Sequence, residues 1–574
     1  MTDITGEGAR PDEPTVAELA QQEVVDTGRS SVLVASGIFL SRIAGLVRES
    51  ATAAVLGTAF AADAFRAALR IPNLLQNLLG EGVLSAAFIP VYARLLADGD
   101  EEEAGRVAGA IAGLLAVLTG VLVLVAVVLA RPLTAVLAPG FTGDRYELTI
   151  DLVRIMTAGI GFLVLSAWCL GVLNTHRRFF LSYVAPVVWN AAQVTVLVAA
   201  WLIGASDTST ATALAWGVFV GGALQFLVQL PTVIRVAPTL AISLRRDLVG
   251  VRTAARRFGP AVLGRGVVQL GAYVDLLLAS LLATGALAAL GYAQILYLLP
   301  VSLFAMSVAA AELPELSRSS QDPDELVGRL DAGLRRITFF IGFTTVTYLV
   351  AGDLIVSAVY ERGRFEDSDT TLVWMILAAY SLGLPAIGAS RLMQNVLYSV
   401  GDVKGPAKIA AFRVGVAAVL GVVLMLQLDR VLVGAHELSG LGDIPGALRP
   451  LPASVRETED QLRLGAAGLA IGSAVAAWLE LGLLTARLRA RIGPRKKVVS
   501  SAMLRVAPAV VASGVVLLLL RILLGHLPAL LGLLLVVLPG GVVYLAAARE
   551  MGVTEVEIVL RPLRRSLRRY APRS

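Results

Sequence analysis

The chain has 574 residues, 56% of them hydrophobic and only 16% charged, with a mean hydropathy of +0.76 and a formal net charge of +6. Soluble domains carry about 25% charged residues, so a water-soluble globular fold is excluded. One cysteine and three histidines offer neither a disulfide nor metal-ligand spacing, and without a Walker A motif, a nucleophile elbow or HExxH the sequence argues against ATP hydrolysis and soluble hydrolase chemistry.

Residues 1–28 are polar and acidic, with no apolar core and no cleavage site, and predict a disordered cytoplasmic leader. Apolar runs of about 20 residues, enough to cross the hydrocarbon core, then recur to the end of the chain. About fourteen are expected, centred near residues 45, 75, 117, 160, 190, 222, 270, 302, 342, 384, 416, 475, 511 and 537. Pro72 is expected to break the second. The fold class is therefore an all-α polytopic membrane protein.

The first two spans are the unusual ones, because they carry Arg42, Arg48, Glu49, Asp63, Arg66, Arg70 and Glu81. A charge at bilayer depth costs at least about 2.5 kcal/mol on insertion scales, so such residues normally face a watery or substrate-filled interior. Asp63, Arg66, Arg70, Asn73, Asn77 and Glu81 recur at steps of three and four, which places them on one helical face. Ser41, Gly45, Arg48 and Thr52 form a similar stripe on the first span, with Arg42 and Glu49 beside it. Several arginines gathered in one place predict an anionic ligand. The bland alternative is interhelical pairing, Arg42 with Glu49 or Arg66 with Asp63. Pro72, Asn73, Gly80, Glu81 and Gly82 are expected to shape a bend or gate.

Farther along, residues 138–190 and 360–410 resemble each other: a short segment with Gly and Phe, one span, then a turn before a proline that opens the next helix. That spacing predicts two lobes of about six helices around a central cavity, 29–240 and 241–490, plus a final pair within 491–574. The second lobe carries an extracytoplasmic loop at 428–463. Lys and Arg cluster in 175–180, 244–257, 334–336, 486–497 and 561–574, whereas 204–210, 283–286 and 525–528 have none. This imbalance predicts that both termini are cytoplasmic. The tail holds six arginines from Arg561 to Arg573 and is expected to meet anionic membrane lipids, with no nucleic acid as partner.

The string from Ser41 to Pro90, with its S-R-x-x-G-x-x-R-[DE], A-D-A-F, R-I-P-N-L-L and E-G-x-x-S-x-A-F-x-P elements, resembles the opening of the MurJ (MviN) lipid II flippase family. That family belongs to the multidrug/oligosaccharidyl-lipid/polysaccharide exporter superfamily. The likeness continues through PGF (139–141), LNTHRRF (173–179), AELPELS (311–317), RGRF (362–365) and YSVGD (398–402), over roughly residues 30–425. The resemblance implies translocation of undecaprenyl-linked lipid II across a bacterial cytoplasmic membrane by alternating access, for cell-wall synthesis. It implies no catalysis and no cofactor, with cell-wall synthesis and division proteins as candidate partners. A related exporter of another polyprenyl-linked glycan, or of drugs, would share the fold.

By the same resemblance Ser41, Arg42, Arg48, Glu49, Asp63 and Arg70 line the cavity. An arginine's planar fork suits phosphate and carboxylate. The chain departs from the family pattern at Gln76 and at Gln294–Ile295, where many members carry arginines or an Asp-Arg pair. Arg265, with Gln269 four residues on, is the expected replacement. Asp275 falls on an acidic position that helps hold sodium in some members, but the eleventh span offers Arg413 where a cation needs oxygen ligands, which makes a poor metal site. Coupling to the membrane potential is the expectation that remains, at about 2.3 kcal/mol per charge per 100 mV.

Overall fold

The computed structural model describes residues 16–319, 322–435, 437–458, 461–493, 500–525 and 527–561, leaving aside the side chains of 16–35, 263–270, 272, 323, 492 and 500–503. Helix α1 runs Val16–Leu56 and is 41 residues long. Residues 16–28, expected to be disordered, are therefore helical: AELAQQEVV is rich in strong helix formers, and polar composition does not by itself oppose a helix.

The second apolar run is α2 (Phe60–Leu79), α3 (Glu81–Ala87) and α4 (Ile89–Ala97). Pro72 does not break it; α2 passes through the proline, and the break falls at Gly80 (φ −87°, ψ −149°). A Cβ there would overlap the Gln76 carbonyl, so the break depends on glycine. There follow α5 (Glu101–Val128), α6 (Ala130–Leu137), α7 (Gly143–Ala158), α8 (Ile160–Thr175), α9 (Phe179–Leu202) and α10 (Asp207–Val236). These make the first lobe, in which α1 packs on α9, α9 and α8 on α10, and α2 on α7.

The second lobe holds α11 (Val249–Ser280), α12 (Ala286–Pro300), a π-helical turn (Val301–Met306), α13 (Ser307–Arg318), α14 (Pro323–Tyr360), α15 (Asp367–Ser381), α16 (Leu384–Ser399) and α17 (Lys404–Leu428). A small hairpin, β1 (Leu432–Val433) and β2 (Leu438–Ser439), and the short α18 (Ala453–Arg456) lie in the 429–464 loop before α19 (Gly465–Ile492). The final pair, α20 (Ser500–Leu524) and α21 (Ala529–Glu550), packs on α14. Among the described residues eleven helical stretches are long and apolar enough to cross a membrane, and twelve if the bent pair α15–α16 counts as one span. With the more polar α1 and α11 the passes number fourteen, each coinciding with an apolar run of the sequence.

Successive connections alternate between two ends. At one, the loop end, the turns near 57–59, 140, 284 and 363 meet the 429–464 loop: Arg364 N–H bonds to the Ala54 carbonyl (2.9 Å) and Thr284 N–H to the Arg456 carbonyl (2.8 Å). At the opposite end Tyr92 meets His176 (2.8 Å) and Arg335 meets Glu555 (3.2 Å). The linker between the lobes lies across α5. Its backbone at 239–243 fits so closely over Gly105, Gly109 and Gly113 that a Cβ on any of the three would overlap it. Large apolar side chains such as Trp201, Leu202, Ile203, Ile522 and Leu523 are exposed on the outside of the bundle, as a surface solvated by acyl chains requires.

Candidate functional site: arginines between the lobes

The interior charges sort into two groups. In the first, Glu49 on α1 is buried and bridges two guanidinium groups, Arg48 beside it and Arg66 on α2 at 2.7 Å. Arg66 also lies over the Tyr292 ring of the other lobe, 4.3 Å from its centroid, and Arg48 over Trp189 at 4.9 Å. Burial of a carboxylate is tolerated when strong donors surround it, and two arginines supply them. The predicted pairs Arg42–Glu49 and Arg66–Asp63 do not form; Glu49 takes Arg48 and Arg66 instead. Arg42 is exposed on α1, without an ion pair among the described residues, and Ser41 one residue earlier is half-buried. Arg70, half-buried one turn after Arg66, reaches Gln294 Oε1 of α12 at only 3.4 Å, while Tyr273 of α11 donates to the Arg70 carbonyl (3.2 Å). Gln294, where the sequence lacks a charge, therefore meets Arg70 and is itself held by Tyr380 (3.1 Å).

The second group centres on Asp63, which the sequence reading placed in the cavity. Its side chain is 1% exposed and sits at the loop end. One oxygen accepts from Gly285 N–H (2.8 Å) and from Arg145 (3.2 Å), and the other from Ala288 N–H (2.7 Å). Asp63 thus caps α12 of the opposite lobe, with the helix dipole favouring its charge. Gly285 (φ +88°) makes the approach possible, since a Cβ would press on the Thr58 carbonyl. Arg145 is buried too and lies 4.1 Å over Phe141. No sequence signal marked Arg145: it lies 82 residues from Asp63 and reads as a loop charge.

Other expected positions fall as follows. Glu81 is exposed at the start of α3, Gly82 is half-buried beside it, and Asn73 is half-buried on α2. Arg265 and Gln269 lie on α11, but their side chains are outside the described residues. Asp275, also on α11, is half-buried, and among the described residues Arg70 and Arg413 are the cations that act on it. Arg413 pairs with buried Glu480 of α19 (3.1 Å), which also accepts from Gln394 (3.0 Å). Arg413 is therefore committed to a carboxylate inside the second lobe, a pair the sequence reading missed. A cavity of about 860 Å³ lies elsewhere, between α14, α15 and α20 at the loop end.

The family description "Lipid II flippase MurJ" matches residues 52–442, about two thirds of the chain. The chain belongs to the MurJ family. Among its relatives, "Probable lipid II flippase MurJ" of Rhizobium tropici is 33% identical over 67% of this chain and 73% of that protein. "Lipid II flippase MurJ" of Burkholderia cenocepacia is 32% identical over 70% of this chain and 77% of the relative. Among solved structures, a MurJ in an inward closed conformation aligns with a TM-score of 0.68 at 21% identity, covering 93% of this chain and 99% of that one. An inward-facing multidrug MATE transporter of the MOP superfamily aligns with a TM-score of 0.61 at 14% identity, over 80% of this chain and 98% of that one. At these identities the two structures establish the shared two-lobe MurJ and MATE fold, and the protein is a multi-pass membrane protein.

Proposed function

We propose that this protein moves lipid II from the inner to the outer leaflet of the cytoplasmic membrane by alternating access, as a transporter with no catalytic step and no cofactor. The observation that carries the reading is the set of guanidinium groups on α1 and α2 of a MurJ-family chain: Arg66 and Arg70 reach Tyr292 and Gln294 of the other lobe, Arg48 shares Glu49 with Arg66, and Arg42 is exposed on α1. Two of them, exposed Arg42 and the loosely held Arg70, have capacity left for an anion; a pyrophosphate or peptide carboxylate is the complementary ligand. With both termini cytoplasmic, as the Lys and Arg distribution supports, the loop end faces outward. The hydrogen bonds joining the lobes cluster from Arg70 to that end, so the present conformation is closed outward. A drug exporter on this fold handling cations would meet repulsion at the same arginines. The membrane potential is the proposed energy source, acting on these charges.

The test is depletion of the protein in cells with lipid II measured separately on the two leaflets, with plasmid-borne protein restoring the balance. Accumulation on the inner leaflet supports the reading, and an unchanged distribution overturns it.

A further inference from the structure

The stretch after residue 442 lies beyond the part that the family description covers, and it crosses from one lobe to the other. Its ends are fastened to the second lobe. Gln427 at the end of α17 exchanges two hydrogen bonds with Gly446, donating to its carbonyl (2.9 Å) and accepting from its N–H (2.6 Å). On the return side Val433 N–H bonds to the Leu462 carbonyl (2.9 Å) and Leu464 N–H to the Val431 carbonyl (3.0 Å). Between these anchors, α18 carries Arg456 to the seam between the lobes, where it is 9% exposed.

There Arg456 Nη1 donates to the Gly140 carbonyl of the first lobe (2.9 Å), and Nε to the Leu451 carbonyl (3.0 Å). The Arg456 carbonyl accepts from both the N–H and the hydroxyl of Thr284 in the second lobe, at 2.8 and 3.0 Å. Thr284 is next to Gly285, whose N–H is held by Asp63, and its hydroxyl also lies 3.5 Å from Arg145. The seam is therefore closed twice: by the Asp63–Arg145 group beneath, and by one guanidinium above.

We propose that residues 443–458 form a strap that latches the outward closure through Arg456. The fastening is asymmetric. Backbone pairs and Gln427 hold the strap to the second lobe, and among the described residues the Arg456–Gly140 bond alone ties it to the first. Opening the lobes outward then leaves the strap on the second lobe and breaks one charge-assisted bond, which a buried site makes strong yet leaves reversible. Removing that bond shifts the population toward the outward-open form. This inference rests on the alternating-access reading above but does not depend on the substrate.

The experiment uses the full chain in cells, with Cys169→Ser removing the one native thiol and Ala288→Cys reporting on the seam. Ala288 is fully buried beneath the strap beside Asp63. A membrane-impermeant maleimide added from outside should label the Arg456→Ala protein at least about five-fold faster than its parent, the low end of ordinary two-state coupling. Arg456→Lys, which keeps the charge but not the fork, should fall between. If Arg456→Ala fails to insert, a Gly-Ser replacement of 447–458 carries the same expectation. Equal labelling of the parent and of the inserted variants overturns the latch. A permeant maleimide run in parallel separates that outcome from a reversed orientation, and neither readout requires lipid II.

Discussion

Two clusters on α1 and α2 use the same chemistry to different ends. Asp63 with Arg145, at the loop end, is buried, and all the carboxylate's partners come from the protein: two backbone N–H groups and a guanidinium. Glu49 with Arg48 and Arg66 is also paired, but it lies among cations whose capacity is unspent, with Arg42 exposed and Arg70 held only by a long bond to Gln294. The charges are equally improbable in a membrane-spanning helix. What separates a closure from a binding surface is how completely each group is satisfied by its own chain, and that is a property of the assembled lobes.

The comparison is broken most severely at Asp63. Asp63→Ala should leave Arg145 uncompensated in the interior at a cost of about 3–5 kcal/mol, so little folded protein should accumulate, as immunoblots of membranes would show. Asp63→Asn keeps an acceptor for α12 and should accumulate better. If Asp63→Ala reaches normal levels yet does not flip lipid II, Asp63 belongs to the binding surface and the distinction fails.

Next in size are the cavity arginines. Arg42→Ala and Arg48→Ala should abolish complementation of a depletion strain, with Arg42→Ala accumulating fully because no described contact is lost. Normal growth of both would remove the cavity assignment.

Smaller again is Gly80→Ala. The added methyl must displace the Gln76 carbonyl, at a cost of about 1–3 kcal/mol, and straightening the α2–α3 break should slow flipping more than it lowers abundance. A purely proportional loss of both would make the break structural only.

The mildest effect is expected at Asp429, just beyond α17, whose carboxyl is pushed up to about 6 by burial despite three nearby arginines. Because the folded state favours the protonated form, wild type bears a penalty above pH 6 that is relieved as pH falls through that value. Asp429→Asn should therefore melt higher than wild type at pH 8 by an amount worth about 1–2 kcal/mol, and the advantage should shrink below pH 6 and vanish only near the ordinary Asp value of about 4. A difference independent of pH would mean that the carboxylate is ionised throughout.

The fourteen passes were legible because a 20-residue apolar run has few alternatives, and the family likeness was legible in the Ser41–Pro90 string. The helical leader was not, since polar composition speaks to burial and says little of backbone conformation. Asp63 and Glu49 read alike in sequence, one to three residues from an arginine on a polar stripe. Their partners come from 222 residues away for Gly285 and 17 for Arg66, and no helical periodicity contains that information. Pro72 misled for a related reason: α2 absorbs the missing N–H, while the backbone conformation at Gly80 ends the helix.

The linker lying over Gly105, Gly109 and Gly113 bears on how the lobes can move at all. A chain segment pressed against α5 along three successive turns is not a slack tether; it travels as part of the first lobe, and so do the first turns of α11, where Leu248, Val251 and Ala254 are buried with Val91 and Val107. Displacement of one lobe must then enter α11 directly as bending or rotation, the way a short crank passes on a stroke that a loose cord would absorb.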